Sequence, residues 1–208
     1  MCRRPGVPAI SLLAVVLIPL AFLAQAGSAS KTSTFGFMVQ EQGIRLVVNT
    51  ETAAWKKKPD FLPLVIFIGN STLSSASVLT LNRYCFTLTD PIGQTHSLCT
   101  LKEIQDGKNY GFVKVANDYT FIQQSIEAGP DVQSFNGLSL QPGTCFFTNV
   151  RGQPSMIRDQ VQIRPNGFTT ALLYFANPSG RAKGTYKLTY TDPTTKASVT
   201  VPFEIAWK

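Results

Sequence analysis

The last residues of the chain alternate between apolar and polar side chains with a period of two. From Val199 to Trp207, every second position is apolar or aromatic, and the positions between are mostly polar or small. Side chains two residues apart share a face in a strand, whereas a helix brings together residues three and four apart. The pattern therefore predicts a half-buried β-strand. Pro202 lacks an amide N–H, which places this strand at a sheet edge or beside a bulge.

The same alternation recurs upstream. Tyr186, Leu188 and Tyr190 alternate with polar residues, and the turn-forming residues 192–196 join this segment to the last strand as a predicted hairpin. Residues 62–68 are almost wholly apolar, which predicts a strand buried on both faces. Further strands are predicted at residues 44–49, 84–89 and 168–175, with weaker patterns at 35–39, 111–115 and 145–150. One stretch, residues 118–129, has a helical pattern with Asp118 as its cap.

These segments predict an all-β fold. Charged residues make up only 15% of the chain, and the β-formers Thr, Val and Phe are abundant. Many short strands separated by turns favour two packed sheets. We expect an immunoglobulin-like, two-sheet antiparallel β-sandwich with one short helix, formed by residues 30–208 as a single domain.

Four segments, in their order, resemble the immunoglobulin-like (telokin-like) domains of exported bacterial proteins of unknown function. They are residues 43–48 (GIRLVV), 64–70 (LVIFIGN), 84–93 (YCFTLTDPIG) and 184–190 (GTYKLTY). The likeness extends over most of the chain after residue 29, and residues 103–131 depart from it. It implies the sandwich fold and no catalytic residues.

The N-terminus has the pattern of a secretory signal. Arg3 and Arg4 precede an apolar run over residues 10–23, and small residues follow at 24–26 and 27–29. We expect residues 1–29 to be a signal peptide, which places the rest of the chain in a secreted or periplasmic location without a membrane span. The alternative is a signal anchor that stays in the membrane, but the apolar run is short for a span.

Three cysteines follow the predicted signal: Cys85, Cys99 and Cys145. An oxidising compartment favours pairing of two of them. Cys85 and Cys99 lie equally far from Ile92 in the turn of residues 90–93, so a hairpin centred there would place them opposite each other. We expect a Cys85–Cys99 disulfide, with a Cys145 bridge between sheets as the alternative.

No motif in the sequence predicts catalysis, a cofactor or a metal. His96 is the only histidine, and no nucleophile-elbow motif accompanies it. Carboxylate pairs such as Glu127 with Asp131 are explained equally well as solvated loop charges. The cysteine spacing lacks the short pairs of zinc sites. We therefore expect a protein that is not an enzyme and has no cofactor.

Two surface features suggest binding. Residues 55–58 place Trp55 directly before Lys56, Lys57 and Lys58, a pattern of either a solvated loop or a contact for an anionic polymer. The aromatic residues of the middle segment could stack on sugars or fill a core; they are Tyr110, Phe112, Tyr119 and Phe121.

The functional expectation is an exported, non-enzymatic binding, adhesion or structural module. Its partner would be a protein or an anionic or carbohydrate polymer of the cell envelope. Although the net charge is +7, the basic residues are scattered, and export argues against nucleic acid. The alternatives are a carbohydrate-binding module, marked by a row of exposed aromatic side chains on one sheet face, and a hydrolase, marked by a cleft with converging acids.

Overall fold

The computed structural model describes residues 28–55, 61–72, 77–100, 103, 129–141, 160–177 and 179–208. The strands of these residues are β1 (Ser30–Lys31), β2 (Gly36–Glu41), β3 (Ile44–Asn49), β4 (Phe61–Asn70), β5 (Leu79–Asn82), β6 (Phe86–Thr89), β7 (Thr95–Ser97), β8 (Ser139–Leu140), β9 (Gln160–Ile163), β10 (Gly167–Ala176), β11 (Thr185–Thr191) and β12 (Ser198–Glu204). Two short helices accompany them, α1 (Glu51–Ala54) and α2 (Pro130–Gln133). The predicted all-β character is confirmed. None of the helices in these ranges is long and apolar enough to cross a membrane.

The larger sheet has six strands in the order β1-β2-β3-β4-β10-β8. Its longest pair is the antiparallel pair of β4 and β10, which runs without a break from Phe61 opposite Ala176 to Asn70 opposite Gly167. Every residue of β4 is buried, which confirms the predicted strand with two covered faces. The sheet is antiparallel except at β8, which pairs with β10 in parallel.

The second sheet has four strands in the order β12-β11-β6-β7. β11 and β12 form the predicted hairpin, with Thr185 opposite Glu204 at one end and Thr191 opposite Ser198 beside the turn. β12 lies at the sheet edge, where the missing N–H of Pro202 interrupts no inner ladder. β6 and β7 form the second predicted hairpin, with Thr87 opposite Ser97.

Two differences separate this architecture from the expected two-sheet antiparallel arrangement. β5 and β9 form a two-stranded sheet of their own, and the β8–β10 pair is parallel. Leu98, just after β7, also forms a bridge with Phe175 of β10, so the chain passes from the smaller sheet to the larger one. The structure thus has several sheets, with antiparallel pairing dominant.

The core is a single cluster of apolar side chains from both larger sheets. The fully buried aromatic rings include Tyr174 and Phe175 of β10 and Tyr186 and Tyr190 of β11. Between the sheets, the rings of Phe37 in β2 and Phe203 in β12 lie 6.3 Å apart. Burial of such side chains stabilises a fold by about 1.5–3 kcal/mol each. Strands β2 and β12 therefore meet at one side of the core.

Several local predictions differ from the structure. β6 begins at Phe86 rather than at Tyr84, because the Asn82 side chain accepts a hydrogen bond from the Tyr84 N–H and caps a short 3₁₀ turn. Helices α1 and α2 were not predicted; Gly129, expected to end a helix, instead precedes α2. The remainder of the predicted helix, residues 118–128, and the weak strand predictions at 111–115 and 145–150 lie outside the described residues.

Candidate functional site

Hydrogen bonds gather three distant parts of the chain at one end of the sheets. The Thr50 N–H and hydroxyl both donate to the Phe35 carbonyl, at 3.0 and 3.1 Å, which joins the start of α1 to the segment before β2. The Lys208 N–H donates to the Ala54 carbonyl at 2.9 Å, which joins the segment after β12 to the end of α1. As a result, Phe35, Trp55 and Lys208 are neighbours.

Cations lie over the aromatic rings at this end. The Nζ of Lys208 is 4.1 Å from the ring centroid of Trp55 and 4.9 Å from that of Phe35. The Cζ of Arg181 is 5.4 Å from the ring of Trp207. All of these distances fall within the range of cation–π attraction. We call these five residues, Phe35, Trp55, Arg181, Trp207 and Lys208, the aromatic–cation cluster.

Further hydrogen bonds fix the second half of the cluster. The Trp207 indole N–H donates to the Ala182 carbonyl at 3.0 Å, and the Arg181 guanidinium donates to the Lys208 carbonyl. The segment after β12 is thereby tied to the loop before β11. Both tryptophans of the chain belong to this cluster.

The cluster is exposed and positively charged. Trp55 is 57% exposed, and Arg181 and Lys208 are both exposed. Within the part of the chain that the structure describes, neither cation forms an ion pair with an Asp or Glu side chain. Both cations are exposed and can attract an anion, and salt screens that attraction over about 8 Å at physiological strength.

A groove of about 480 Å³ lies beside the cluster, between β1 and β2 on one side and β12 on the other. Its apolar lining includes Phe37 and Pro202, which are partly exposed, and Lys31 and Glu204 are its charged groups. Two of its lining residues, Thr34 and Ala206, are the chain neighbours of Phe35 and Trp207.

The structure places one of the four predicted surface residues. Trp55 is exposed at the end of α1, whereas Lys56, Lys57 and Lys58 lie outside the described residues. The other cluster members were missed by sequence reasoning. Arg181 and Lys208 have no local motif around them, and Trp207 follows the period-two pattern of a core residue. Only the fold brings them to Trp55.

His96 belongs to a different group, centred on Asp90. The His96 Nε2 lies 3.1 Å from the Asp90 Oδ2, and the Ser179 hydroxyl donates to the same oxygen at 3.4 Å. Burial by itself raises the pKa of Asp90, but hydrogen bonds from His96 and from the N–H groups of Gln94 and Ile92 outweigh it and lower that pKa.

The arrangement at Asp90 is not that of a hydrolytic triad. A triad needs the serine hydroxyl on the histidine, so that the ring nitrogen can take its proton. Here the Ser179 hydroxyl and the His96 ring both contact the carboxylate of Asp90. The contacts instead tie the β6–β7 turn to the loop after β10, which is a structural role.

Asp131 also has a structural place. It was interpreted as a solvated loop charge, and that interpretation is wrong: Asp131 is only 4% exposed. The hydroxyl of Thr32 and the amide of Asn49 both donate to its carboxylate at 2.6 Å, which fastens α2 to β3 and to the segment between β1 and β2. Glu127, its suggested catalytic partner, lies outside the described residues. The described residues contain no group of three or more metal-ligating side chains.

The predicted Cys85–Cys99 disulfide is not formed in the structure, where both residues are buried free thiols. The hairpin register agrees with the prediction, but the chain diverges at both cysteines. The Cys85 thiol donates to the Thr80 carbonyl at 3.4 Å, and the Cys99 N–H donates to the Tyr174 carbonyl at 2.8 Å. Burial raises the pKa of Cys85 and raises that of Cys99 to about 12. Cys145 lies outside the described residues.

In comparisons with known proteins, no family model, curated protein or solved structure matches this chain. The likeness to exported immunoglobulin-like domains therefore stays a resemblance. The candidate site rests on the geometry of the aromatic–cation cluster and the adjacent groove.

Proposed function

We propose that this protein is an exported, non-enzymatic binding module that holds anionic polymers of the cell envelope against its aromatic–cation cluster. In this proposal, residues 1–29 direct export, and residues 30–208 form one immunoglobulin-like sandwich that serves as the scaffold. The protein would bind its ligand in a secreted or periplasmic location.

One observation supports this proposal above all. Arg181 and Lys208 lie over aromatic rings at one end of the sheets, and neither forms an ion pair with an Asp or Glu side chain among the residues that the structure describes. Exposed cations beside the exposed ring of Trp55 suit a ligand that supplies both negative charge and a surface for ring contact.

The rings also restrain the cations. A lysine side chain that is free in solution loses up to about 2 kcal/mol of rotamer entropy when a ligand fixes it. The contacts of Lys208 with Trp55 and Phe35 limit that freedom before binding. Attraction between exposed charges is nevertheless weak, so several contacts along one polymer must act together to hold it.

Retention on immobilised polymers tests the proposal. The chain without residues 1–29 is passed over polygalacturonate, heparin and poly-L-glutamate, with neutral dextran as the reference, at low and at physiological salt. We expect retention on at least one polyanion, none on dextran, and weaker retention at higher salt. Lys208→Gln and Arg181→Gln should each reduce retention.

Lys196→Gln is the matched control. Lys196 lies in the β11–β12 turn, at the opposite end of those strands from Arg181 and Lys208, and it is also exposed. The Lys196→Gln substitution also removes one positive charge, and it should leave retention closer to that of the parent protein. Absence of retention on every polyanion, or equal losses in all three variants, would overturn the proposed site.

Export is tested separately. Mass spectrometry of the protein recovered from outside the cytoplasm should find an N-terminus near Gly27 or Ser30. An intact Met1 on a membrane-bound product would contradict cleavage of the signal.

A further inference from the structure

We infer that the groove between β1–β2 and β12 is the second half of the binding site, and that the anionic ligand it takes is an acidic polysaccharide. This inference rests on the proposed function and narrows its ligand class. The lining of the groove supports it.

The groove has the mixed lining that sugar rings need. Thr34 and Thr185 supply hydroxyl groups, while the partly exposed side chains of Phe37 and Pro202 supply an apolar surface. Sugars present hydroxyl groups at their edges and C–H groups on their faces, so they use both kinds of contact. A polyphosphate chain has no C–H face to pack on the ring of Phe37 and no hydroxyl group to donate to the carboxylate of Glu204.

The charged residues of the groove also favour an acidic polysaccharide. Lys31 is exposed, its Nζ lies 5.7 Å from the ring centroid of Phe37, and it could pair with a carboxylate or sulfate of the ligand. Glu204 on the β12 side is exposed and can accept hydrogen bonds from sugar hydroxyls. The same carboxylate repels a densely charged anion. A polymer with hydroxyls between its charges fits this wall better than one with a charge on every unit and no hydroxyls.

The groove and the aromatic–cation cluster follow one another along the chain. Phe37, in the groove, lies two residues from Phe35, whose ring contacts Lys208. Likewise Ala206, in the groove, immediately precedes Trp207. Phe35, Phe37 and Trp207 are all partly buried against the same core. A polymer that lies along β12 would therefore reach both regions.

Binding titrations with defined probes test this inference. Oligogalacturonate, poly-L-glutamate and inorganic polyphosphate are titrated at the same ionic strength against the chain without residues 1–29. We expect oligogalacturonate to bind at least about tenfold more tightly than the two polyanions that lack sugar rings. A longer oligogalacturonate should also bind more tightly than the monomer, because only a chain reaches both regions.

Variants separate the groove from the cluster. Thr34→Ala and Lys31→Gln should each weaken oligogalacturonate binding severalfold and leave the binding of polyphosphate within about twofold. Thr194→Ala and Lys196→Gln, in the β11–β12 turn, are the matched controls and should change neither. Urea denaturation of each variant checks that the fold is kept.

The outcomes distinguish the two proposals. Equal binding of all three polymers, with loss in the Lys208→Gln protein, would contradict the polysaccharide class and leave the anionic binding module standing. Binding of no polymer would contradict both. Binding of vesicles with anionic headgroups in place of all three polymers would assign the surface to a membrane and overturn the inference.

Discussion

Replacement of Asp192 should destabilise the fold more than replacement of any exposed acid. Asp192 is fully buried, and its carboxylate fastens the β11–β12 turn to β5. Its Oδ2 accepts hydrogen bonds from the Thr80 N–H at 2.7 Å and from the Tyr190 hydroxyl at 3.1 Å. Its Oδ1 accepts from the Thr194 and Thr195 N–H groups, at 2.9 and 2.7 Å. The sequence pattern marked this segment only as a turn.

The loss in the free energy of unfolding caused by Asp192→Ala depends on which hydrogen-bond donors lose their acceptor. The Thr80 N–H is buried and would be left unsatisfied, which costs about 1–3 kcal/mol. Thr194 and Thr195 are exposed, so water can replace their bonds at a cost of about 1 kcal/mol each. The Tyr190 hydroxyl still donates a hydrogen bond to the Thr80 carbonyl, at 2.8 Å, so it is not left without a partner. The expected loss is therefore about 3–5 kcal/mol, a large part of the typical stability of about 5–15 kcal/mol.

Urea denaturation followed by tryptophan fluorescence and circular dichroism measures this loss. Tyr190→Phe removes one hydroxyl and leaves the carboxylate in place, so it should cost only about 1 kcal/mol. Asp192→Asn retains one acceptor oxygen and should fall between the two, which keeps the test useful if the alanine variant does not fold. A loss below about 1 kcal/mol for Asp192→Ala would refute the assignment of these hydrogen bonds.

Three further predictions follow from the titratable groups and the lysine-rich segment. Because its hydrogen bonds lower the pKa of Asp90, its contribution to stability is present above about pH 4 and is lost as the pH falls through the folded-state pKa; Asp90→Asn should therefore lose less stability between pH 7 and pH 3 than the parent does. Because burial raises the pKa of Cys99 to about 12, native protein at pH 8 should alkylate slowly there, and rapid labelling would contradict that burial. Replacement of Lys56, Lys57 and Lys58 by Ser should weaken retention on anionic polymers with a stability change within about 0.5 kcal/mol; unchanged retention at low salt would make this segment ordinary solvated surface.

The strands were predictable where one physical signal dominates. The alternation from Tyr186 to Phe203 predicts which side chains of β11 and β12 are buried. Because the turn between these two strands is short, they must pair as an antiparallel hairpin. The centre of the β6–β7 hairpin at Ile92 was predictable because the residues at 90–93 mark one tight turn directly after the alternating arm at residues 84–89. In each case the information is local, because a strand's period and a turn's residues are read from neighbouring positions.

Features that depend on distant contacts were not predictable. Tyr84 has the alternation of a strand residue, but the cap from Asn82 turns the chain there. Asp131 resembles a loop acid, and only the partners Thr32 and Asn49, far away in the sequence, explain its burial. The aromatic–cation cluster likewise joins residues from four separate segments. Sequence patterns give the face on which a residue lies but not the residue that another strand brings against it.

The indole N–H resonances of the two tryptophans test the central claim most directly, since both belong to the aromatic–cation cluster. In a ¹H–¹⁵N titration of the chain without residues 1–29 with oligogalacturonate, the account predicts that the signal of exposed Trp55 shifts in a saturable way. The signals of Arg181 and Lys208 should shift with it, while those of the β11–β12 turn stay unchanged. Saturable binding that leaves the Trp55 and Lys208 signals in place and shifts those of another surface would contradict the account.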